Sequence, residues 1–427
     1  MADDPRAEKY FQIRKTIQKL VFFMGVWPSE NSGSFYRCLH YVPVTLYCNA
    51  IMIILNSIAH HLDNAKIITL NFGVIAVYLL CALKVLCLAV NVKKMMWFYE
   101  TIDDLCNQFL KDGQLQKFVL NDVTVYRFFF WFHTSLCGFS GTVPLVMSMV
   151  SVMNQKIHDI HPVKYNLIIP GMYPWNASIN EIVYGLHFGL ESYTLMWTFY
   201  VGALVDVLFS FSLLQMTIPL RGMSHAIIHV CDGEDYGSAL HRCLVQYRTL
   251  IQCRNIIENT YGPIILGVAI TGPIALCSLA WQVTQMETIS NFQKFRFAVH
   301  GVAKILQVFS YSWSATILKG KSEDFLRKVY SSEWYGNRGF MNTVLTMLIQ
   351  RPLTIKAGHM PDVSLGMFVF VSMLPVPTRS AGQDKCTNCH AGDENDCIVL
   401  LIAANNGTKI IAVNNKLIND WMYKFYV

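Results

Sequence analysis

Long apolar runs, separated by segments that carry lysine and arginine, constrain the fold of this sequence more than any other feature. A helix needs about 20 apolar residues to cross the hydrocarbon of a bilayer. Six runs come close to or exceed that length, at residues 38–59, 67–90, 126–153, 192–218, 260–284 and 297–318. With 53% apolar and 15% charged residues, the chain is also too apolar for an ordinary soluble enzyme. The sequence therefore predicts an all-α polytopic membrane protein.

A seventh apolar run, residues 363–374, is shorter than the others. As a helix it would reach about 18 Å against about 30 Å of hydrocarbon, and Pro375 and Pro377 then end it. We therefore expect seven transmembrane helices with a truncated seventh, a domain covering residues 1–370, and an atypical C-terminal tail at 371–427.

The run at 182–218 is instead too long for one span, and Glu191 is expected to divide it into a short outer helix and the fourth span.

The distribution of basic residues predicts the orientation of the spans. The four segments assigned to the inside carry 5, 4, 4 and 7 lysines and arginines, twenty together, whereas the three outer loops carry five. Because cytoplasmic loops are enriched in these residues, the N-terminus is predicted to be cytoplasmic and the C-terminus to lie outside. The N-terminal segment has the apolar spacing of an amphipathic helix at Phe11, Ile13, Ile17 and Leu20, and is expected to lie along the inner membrane surface.

The sequence offers little support for a catalytic site or for a bound cofactor. Glu181, His187 and Glu191 could share neighbouring helical turns, but no nucleophile stands near them. Basic residues flank the apolar spans and do not form aromatic-interleaved patches, which argues against nucleic-acid binding. The tail contains a C-x-x-C-H pattern at 386–390, which without a haem pocket is interpreted as a chance match. We therefore predict no enzymatic activity, no metal site and no cofactor.

Three ionisable side chains, Lys84, Asp206 and Lys304, fall inside the predicted spans, where an unpaired charge is costly. Lys84 and Asp206 lie at similar depth in the second and fourth spans. Two alternatives are open for them: Lys84 extends its ammonium to the inner headgroups, or it forms an ion pair with Asp206.

Several short motifs resemble one membrane-protein family in their order and spacing. Met24 to Pro28 is similar to its N-terminal signature, and Tyr173-Pro174-Trp175 to a motif in the long loop before the fourth span. The strongest resemblance lies in the last cytoplasmic segment and the start of the seventh span, at Glu333-Trp334-Tyr335, Arg338, Met347, Gln350-Arg351, Leu353-Thr354, Ala357-Gly358 and Ser364-Leu365. Over residues from about 10 to 370, the chain resembles the insect odorant receptor family.

This resemblance implies an odorant-gated cation channel subunit in the plasma membrane of a sensory neuron. Such a subunit assembles as a heterotetramer with the family's shared co-receptor. The segment from Trp334 to Gly358 would form the central cytoplasmic contact between subunits. The residues implied in that contact are Trp334, Tyr335, Arg338, Gln350 and Arg351.

The resemblance also implies a pocket for volatile, mostly apolar ligands in the outer half of the bundle, among spans two, three, four and six. Depth in the membrane, and not a matched motif, selects the candidates, and packing inside the bundle is the alternative role for each of them. The candidates are Phe72, Met147, Ser148, Tyr193, Met196, Trp197 and His300. In the outer loop before the fourth span, Asn176 begins a glycosylation sequon, which is usable only on the lumenal side.

Two other classes of membrane protein remain as alternatives. A G-protein-coupled chemoreceptor would carry an Asp-Arg-Tyr motif at the end of the third span and would have the opposite orientation. A transporter would show an internal repeat of spans with paired broken helices. The sequence shows none of these three features.

Overall fold

The computed structural model describes most of the chain up to residue 364 and a short part of the tail. The described ranges are residues 5–25, 38–111, 113–160, 167–175, 180–228, 236–285, 291–332, 338–357, 397–404 and 407–414, with the single positions 36, 163, 165, 334, 363 and 364. Within these ranges the chain forms ten helices and one β-hairpin. The helices are α1 Pro5–Phe23, α2 Tyr41–His60, α3 Ala65–Val90, α4 Val92–Leu110, α5 Gly113–Val119, α6 Val123–Ile157, α7 Glu181–Ile228, α8 Tyr236–Gln285, α9 Asn291–Tyr330 and α10 Arg338–Leu348.

Helix α7 is the centre of the bundle. It contacts helices α1 to α6, α8 and α9, and every residue from Ala203 to Ser224 is buried. A helix that is apolar on all sides cannot expose one face to water, so it is stable only when other elements surround it. The other helices therefore pack around α7, which positions their side chains toward a common interior.

Most of the predicted spans coincide with helices of the required kind. Among the described residues, five segments are long and apolar enough to cross a membrane: Tyr41–His60, Ile67–Val90, Val123–Ile157, Glu181–Ile228 and Gly237–Leu279. The sixth predicted span, residues 297–318, lies within α9, which is more polar because it carries Lys304, Gln307 and several serines. The partial seventh span, 363–374, falls outside the described residues apart from positions 363 and 364.

The predicted break at Glu191 is wrong. Helix α7 runs without interruption from Glu181 to Ile228, so the fourth span does not begin at 192. The Glu191 carboxylate accepts hydrogen bonds from the backbone N–H groups of Ile168 and Ile169, at 2.7 and 2.9 Å, and from the hydroxyl of Tyr173, at 3.0 Å. Because the outer loop satisfies this buried charge, the helix has no reason to end there.

Helices α7, α8 and α9 continue well beyond a bilayer. Helix α8 has 50 residues and would be about 75 Å long. Its N-terminal half carries a stripe of fully buried residues at helical spacing, Leu240, Cys243, Tyr247, Leu250 and Ile257, which holds it against its neighbours ahead of the predicted fifth span. The three helices thus form a protein-packed extension of the bundle, with α10 packed on α8 and α9.

Helix α1 packs on the protein and not beside it. Its buried face contains Tyr10, Ile13, Ile17 and Val21 and contacts α5, α6 and α7, so much of the apolar stripe that was expected to face the membrane surface faces protein. Arg14 pairs with Asp103 of α4. Burial raises the pKa of Asp103 to about 6, and the guanidinium of Arg14 opposes that rise.

The described part of the tail forms an antiparallel hairpin, β1 Cys397–Ala404 and β2 Gly407–Asn414. Cys397 lies opposite Asn414, and Ala404 lies opposite Gly407. The apolar run at 397–404, which is too short to span a bilayer, is thus half of a two-stranded sheet, and the all-helical architecture applies to the membrane domain.

Candidate functional site

A cavity of about 170 Å³ lies in the outer half of the bundle. Helices α3, α6, α7, α8 and α9 contribute its lining, which is mostly apolar. The lining residues are Leu70, Gly73, Val74, Val77, Tyr78, Ser140, Pro144, Leu195, Thr198, Phe199, Ala275, Ser278, Leu279, Arg296, Phe297 and His300. An engineered apolar cavity of roughly 150 Å³ binds benzene, so this space suits a small apolar molecule.

Few polar groups line this cavity, and most have partners in the protein. Ser140 Oγ lies 3.1 Å from His300 Nδ1, and Ser278 Oγ donates a hydrogen bond to the carbonyl of Thr69 at 2.9 Å. Pro144 lacks an N–H, so the Ser140 carbonyl has no helical donor at that position. Arg296 lies with its guanidinium carbon 5.1 Å from the centre of the Phe297 ring. A few directional groups in an apolar space are typical of a small-molecule site.

A second, smaller cavity of about 40 Å³ adjoins the first. The two share Val77, Thr198, Phe199 and His300 in their linings. We call them the outer cavity and the inner cavity. The inner cavity differs in its chemistry, because its lining includes Lys84, Lys304, Asp206, His133 and Gln307.

Asp206 of α7 is the centre of the polar network at the inner cavity. Its Oδ1 accepts hydrogen bonds from Lys84 Nζ at 2.5 Å and from the hydroxyl of Tyr311 at 2.7 Å. Its Oδ2 accepts one from Gln307 Nε2 at 2.7 Å and lies 3.7 Å from His133 Nε2. Of the two alternatives that the sequence leaves open for Lys84, the structure shows the ion pair with Asp206, and both side chains are almost completely buried, at 0% and 1% exposure.

The structure places one of the seven predicted ligand residues, His300, in the lining of both cavities. Phe72, Tyr193 and Met196 are exposed on the outside of the helices. Met147, Ser148 and Trp197 are partly buried but lie outside the lining of the two cavities. In several cases a neighbouring residue lines the outer cavity instead: Gly73 beside Phe72, and Leu195 and Thr198 beside Met196 and Trp197.

The residues implied in subunit contact lie in and around helix α10. Trp334 is partly buried and donates from Nε1 to the carbonyl of Tyr330 at 2.8 Å. Gln350 is partly buried and Arg351 is exposed. The carbonyl of Arg351 accepts from the hydroxyl of Tyr247 at 3.3 Å. Tyr335, the side chain of Arg338 and the sequon residue Asn176 fall outside the described residues.

Helix α10 has two apolar faces. Val344 and Met347 are buried against the rest of the chain, whereas Met341, Leu345 and Ile349 are 47%, 53% and 70% exposed. Residues four positions apart lie on the same side of a helix, so these three form one exposed stripe. We call Met341, Leu345 and Ile349 the α10 stripe.

Among the described residues, no group of three or more His, Cys, Asp or Glu side chains is arranged to hold a metal ion. The C-x-x-C-H pattern at 386–390 lies outside the described residues. Lys156 and Glu181 form an exposed ion pair at 2.8 Å, and His187 accepts a hydrogen bond from Trp175 Nε1 at 3.0 Å. The carboxylates and histidine at the outer end of α7 are thus used in holding the outer loop.

Several cavity residues were missed by the sequence reasoning. Ser140, Pro144, Ala275 and Ser278 are small residues or a helix-breaking residue inside predicted spans, and such positions leave space between helices. A search for small residues at matched depth on several spans would have selected them. Gln307 and Tyr311 could have been found as polar residues one and two turns from Lys304 on the same helical face.

Comparisons with known proteins agree on one family. A family model described as "7tm Odorant receptor" matches residues 64–373. The insect olfactory receptor OR5 from Machilis hrabei in complex with eugenol has a similar structure, with a TM-score of 0.68 and 13% sequence identity over 86% of this chain and 97% of that one. The structure of the same receptor described without a ligand gives a TM-score of 0.66, with 13% identity and the same coverage. A search among curated proteins found no match.

We predict that Lys84 and Asp206 depend on each other for stability. Lys84→Met or Asp206→Asn alone leaves a buried charge without its partner, which costs on the order of 3 kcal/mol. The double variant removes both charges and is expected to lose much less than the sum of the two single losses. Thermal unfolding of the purified protein, supported by surface expression, measures this non-additivity.

The exposed pair Lys156 and Glu181 offers a matched control, because both side chains are largely solvent-accessible. The cycle of Lys156→Met and Glu181→Gln is expected to be additive, since exposed ion pairs contribute little. Additive losses in the Lys84 and Asp206 cycle would contradict the prediction.

Proposed function

Because the chain belongs to the odorant receptor family, we propose that it is an olfactory receptor subunit that binds small, mostly apolar odorants and gates a cation channel together with a shared co-receptor. The outer cavity carries this proposal, since it is the larger of the two cavities, is mostly apolar and is lined by four helices, α3, α6, α7 and α8, that are long and apolar enough to cross a membrane. The Machilis receptor with a related fold is described in complex with eugenol, a small aromatic molecule. Family membership favours this function over a G-protein-coupled chemoreceptor or a transporter.

The residues proposed to contact the odorant are those of the outer cavity. Val77, Leu195, Phe199 and Phe297 supply apolar and aromatic surface, and His300 with Ser140 supplies a polar pair that can bind a hydroxyl or carbonyl group. An odorant in this space would touch five helices at once. Any ligand that fits one arrangement of these helices better than another shifts the population toward that arrangement.

Helix α9 offers a route from the cavity to the intracellular segment. It lines the outer cavity with Phe297 and His300, and at its inner end Ser322 Oγ accepts a hydrogen bond from the backbone N–H of Leu353 at 2.9 Å. Leu353, Ile355 and Ala357 are buried, so the segment that precedes the seventh span is attached to α9. In the proposed mechanism a displacement of α9 at the cavity moves this segment and with it the seventh helix.

The α10 stripe is the proposed contact with other subunits. Three large apolar side chains are exposed at the intracellular end of the bundle, next to the segment that the family resemblance assigns to the central contact. An apolar stripe of this kind is stabilised when a neighbouring subunit covers it. Trp334, Gln350 and Arg351 lie close to it in the sequence and are proposed to belong to the same interface.

The tail at 371–427 is proposed to alter the pore. In this proposal the seventh helix lines the pore, and the family match ends at residue 373, within that helix. The chain can then bind an odorant without conducting well. The test is to compare the odorant-evoked current of this chain with that of a version that has a seventh helix of full length. Recording each version with and without the co-receptor tests the co-receptor requirement as well.

We predict that filling the outer cavity weakens odorant binding. Ala275 is 5% exposed and lines the cavity, so Ala275→Leu adds three carbon atoms to a space of about 170 Å³. The apparent affinity for small volatile alcohols, esters and aromatics should fall about tenfold or more, measured as ligand-dependent thermal stabilisation of the purified chain. Ala59→Leu on the exposed side of α2 is the control and should bind as the unmodified chain does. Equal binding by the two variants would place the odorant elsewhere.

We predict that a charge on the α10 stripe prevents assembly. Leu345→Arg would bury an unpaired cation in the proposed subunit contact, so the amount of co-receptor that co-purifies should fall several-fold. The fold of the single chain should be retained, because this side chain is 53% exposed. Asn342→Arg, on the same helix at an exposed polar position, is the control. Unchanged co-purification with Leu345→Arg would exclude this face from the interface.

We predict that an epitope tag at the N-terminus is accessible to antibody only after the cells are made permeable. The excess of basic residues in the inner segments favours this orientation, and Asn176 would then lie outside, where it can carry a glycan. Staining of intact cells by the N-terminal tag would overturn the orientation.

A further inference from the structure

The inner cavity has a chemistry that an apolar odorant does not use. Its lining brings the side chains of Lys84, Lys304 and Asp206 together with two histidines inside the membrane domain. It shares four lining residues with the outer cavity, so a molecule in the outer cavity lies next to these charges. The charges therefore bear on which ligands the site prefers.

The charges around the two cavities do not balance. Asp206 is engaged by Lys84, Gln307 and Tyr311. Lys304 donates to the neutral amide oxygen of Gln307, at 3.3 Å, and within the part of the chain that the structure describes it has no carboxylate as a direct partner. Arg296 adds a further cation in the outer cavity.

The other two carboxylates of α7 do not correct this imbalance. Glu181 pairs with Lys156. Both oxygens of Glu191 accept hydrogen bonds from the outer loop, and this residue does not line either cavity. One carboxylate thus faces two lysines at the inner cavity. The side chain of Lys304 is partly buried and lies within a predicted span, where an ammonium that has only a neutral partner is costly, and an added anion would offset that cost.

The placement of Lys304 suits an anion at the end of an apolar molecule. His300 and Lys304 are four residues apart on α9, so they lie one above the other on one face of the helix, with Phe297 one turn further out. A chain of about six carbons can occupy the outer cavity, whose volume of about 170 Å³ exceeds that of a benzene-sized space. Its head group would then reach the shared floor at His300 and the ammonium of Lys304.

We propose that this site selects small carboxylic acids, with the hydrocarbon tail in the outer cavity and the carboxylate paired with Lys304. The proposal rests on the proposed function, because it uses the outer cavity as the odorant site. An alcohol or ester with the same tail fills the same apolar space but leaves Lys304 without an anionic partner. The acid therefore binds more tightly than its neutral analogues.

The test compares hexanoic acid with 1-hexanol and methyl hexanoate, at neutral pH, on the purified full chain in lipid nanodiscs. Affinity is obtained from the dependence of the thermal unfolding temperature on ligand concentration. Hexanoic acid is expected to bind about tenfold or more tightly than 1-hexanol, because a hydrogen bond to a charged group contributes more than a neutral one. Lys304→Met should remove this preference and leave the affinity for 1-hexanol within about twofold.

Two further variants keep the result interpretable. Lys304→Arg retains the cation and should retain the preference for the acid, and Lys294→Met removes an exposed lysine from the same helix and should leave it unchanged. If Lys304→Met does not fold, the preference of the unmodified chain and of Lys304→Arg decides the question. The selection of acids is overturned if the unmodified chain binds acid and alcohol equally, or if Lys304→Met still prefers the acid. Neither of these results contradicts the outer cavity as the odorant site. Binding of none of the three compounds overturns the odorant cavity as well.

Discussion

A helix that is buried on all sides cannot leave a charge unpaired, and the structure is organised around that constraint. Helix α7 carries Glu191, Asp206 and Arg221 at intervals of fifteen residues, or about 22 Å along its axis. Each finds partners on a different element: the outer loop for Glu191, helices α3 and α9 for Asp206, and Asp122 with the carbonyl of Phe118 for Arg221. Three polar attachments thus fix the depth of the surrounding segments relative to α7, which apolar packing alone would leave free to slide.

The cavities lie where this packing is incomplete. Between the attachments at Glu191 and Asp206, the helices that face α7 present small side chains, among them Gly73, Ser140 and Ala275. A Cβ atom added at Gly73 would come within 2.7 Å of Ser278 Oγ, so α3 and α8 approach closely at one edge of the space. The outer cavity is mostly apolar, and it adjoins the inner cavity, which the charged network at Asp206 lines. The same charges that stabilise the bundle become the polar end of the site.

The sequence predicted the membrane class and the helical content because a spanning segment needs a long apolar run whose backbone groups bond within the segment. It left open whether Lys84 pairs with Asp206 or extends to the headgroups, because residue number gives the depth of a side chain but not its partner. It predicted Glu191 as a break because the loop donors at Ile168 and Ile169 are backbone groups, which leave no mark in the side-chain pattern. The ligand candidates show a similar limit. Depth along a helix follows from residue number, but the face follows from rotation by about 100° per residue. In a helix that is apolar all round, nothing in composition distinguishes Phe72 from Gly73.

Helix α9 shows how polarity and position in the bundle depend on each other. Its Gln307, Ser310, Tyr311, Ser312 and Ser314 are all buried, so its polar face is turned into the protein, where Gln307 and Tyr311 bind Asp206. A helix of this composition would be unfavourable against lipid along that face, and this fixes its rotation beside α7. The network at Asp206 fixes the rotation of α9. His300 and Ser322, which lie on either side of this network along α9, are therefore held at fixed positions relative to each other. A ligand that changes the contacts of His300 therefore acts on the same helix that holds Leu353. Because a local distortion of α9 would break the network at Asp206, a movement of α9 as a whole is favoured.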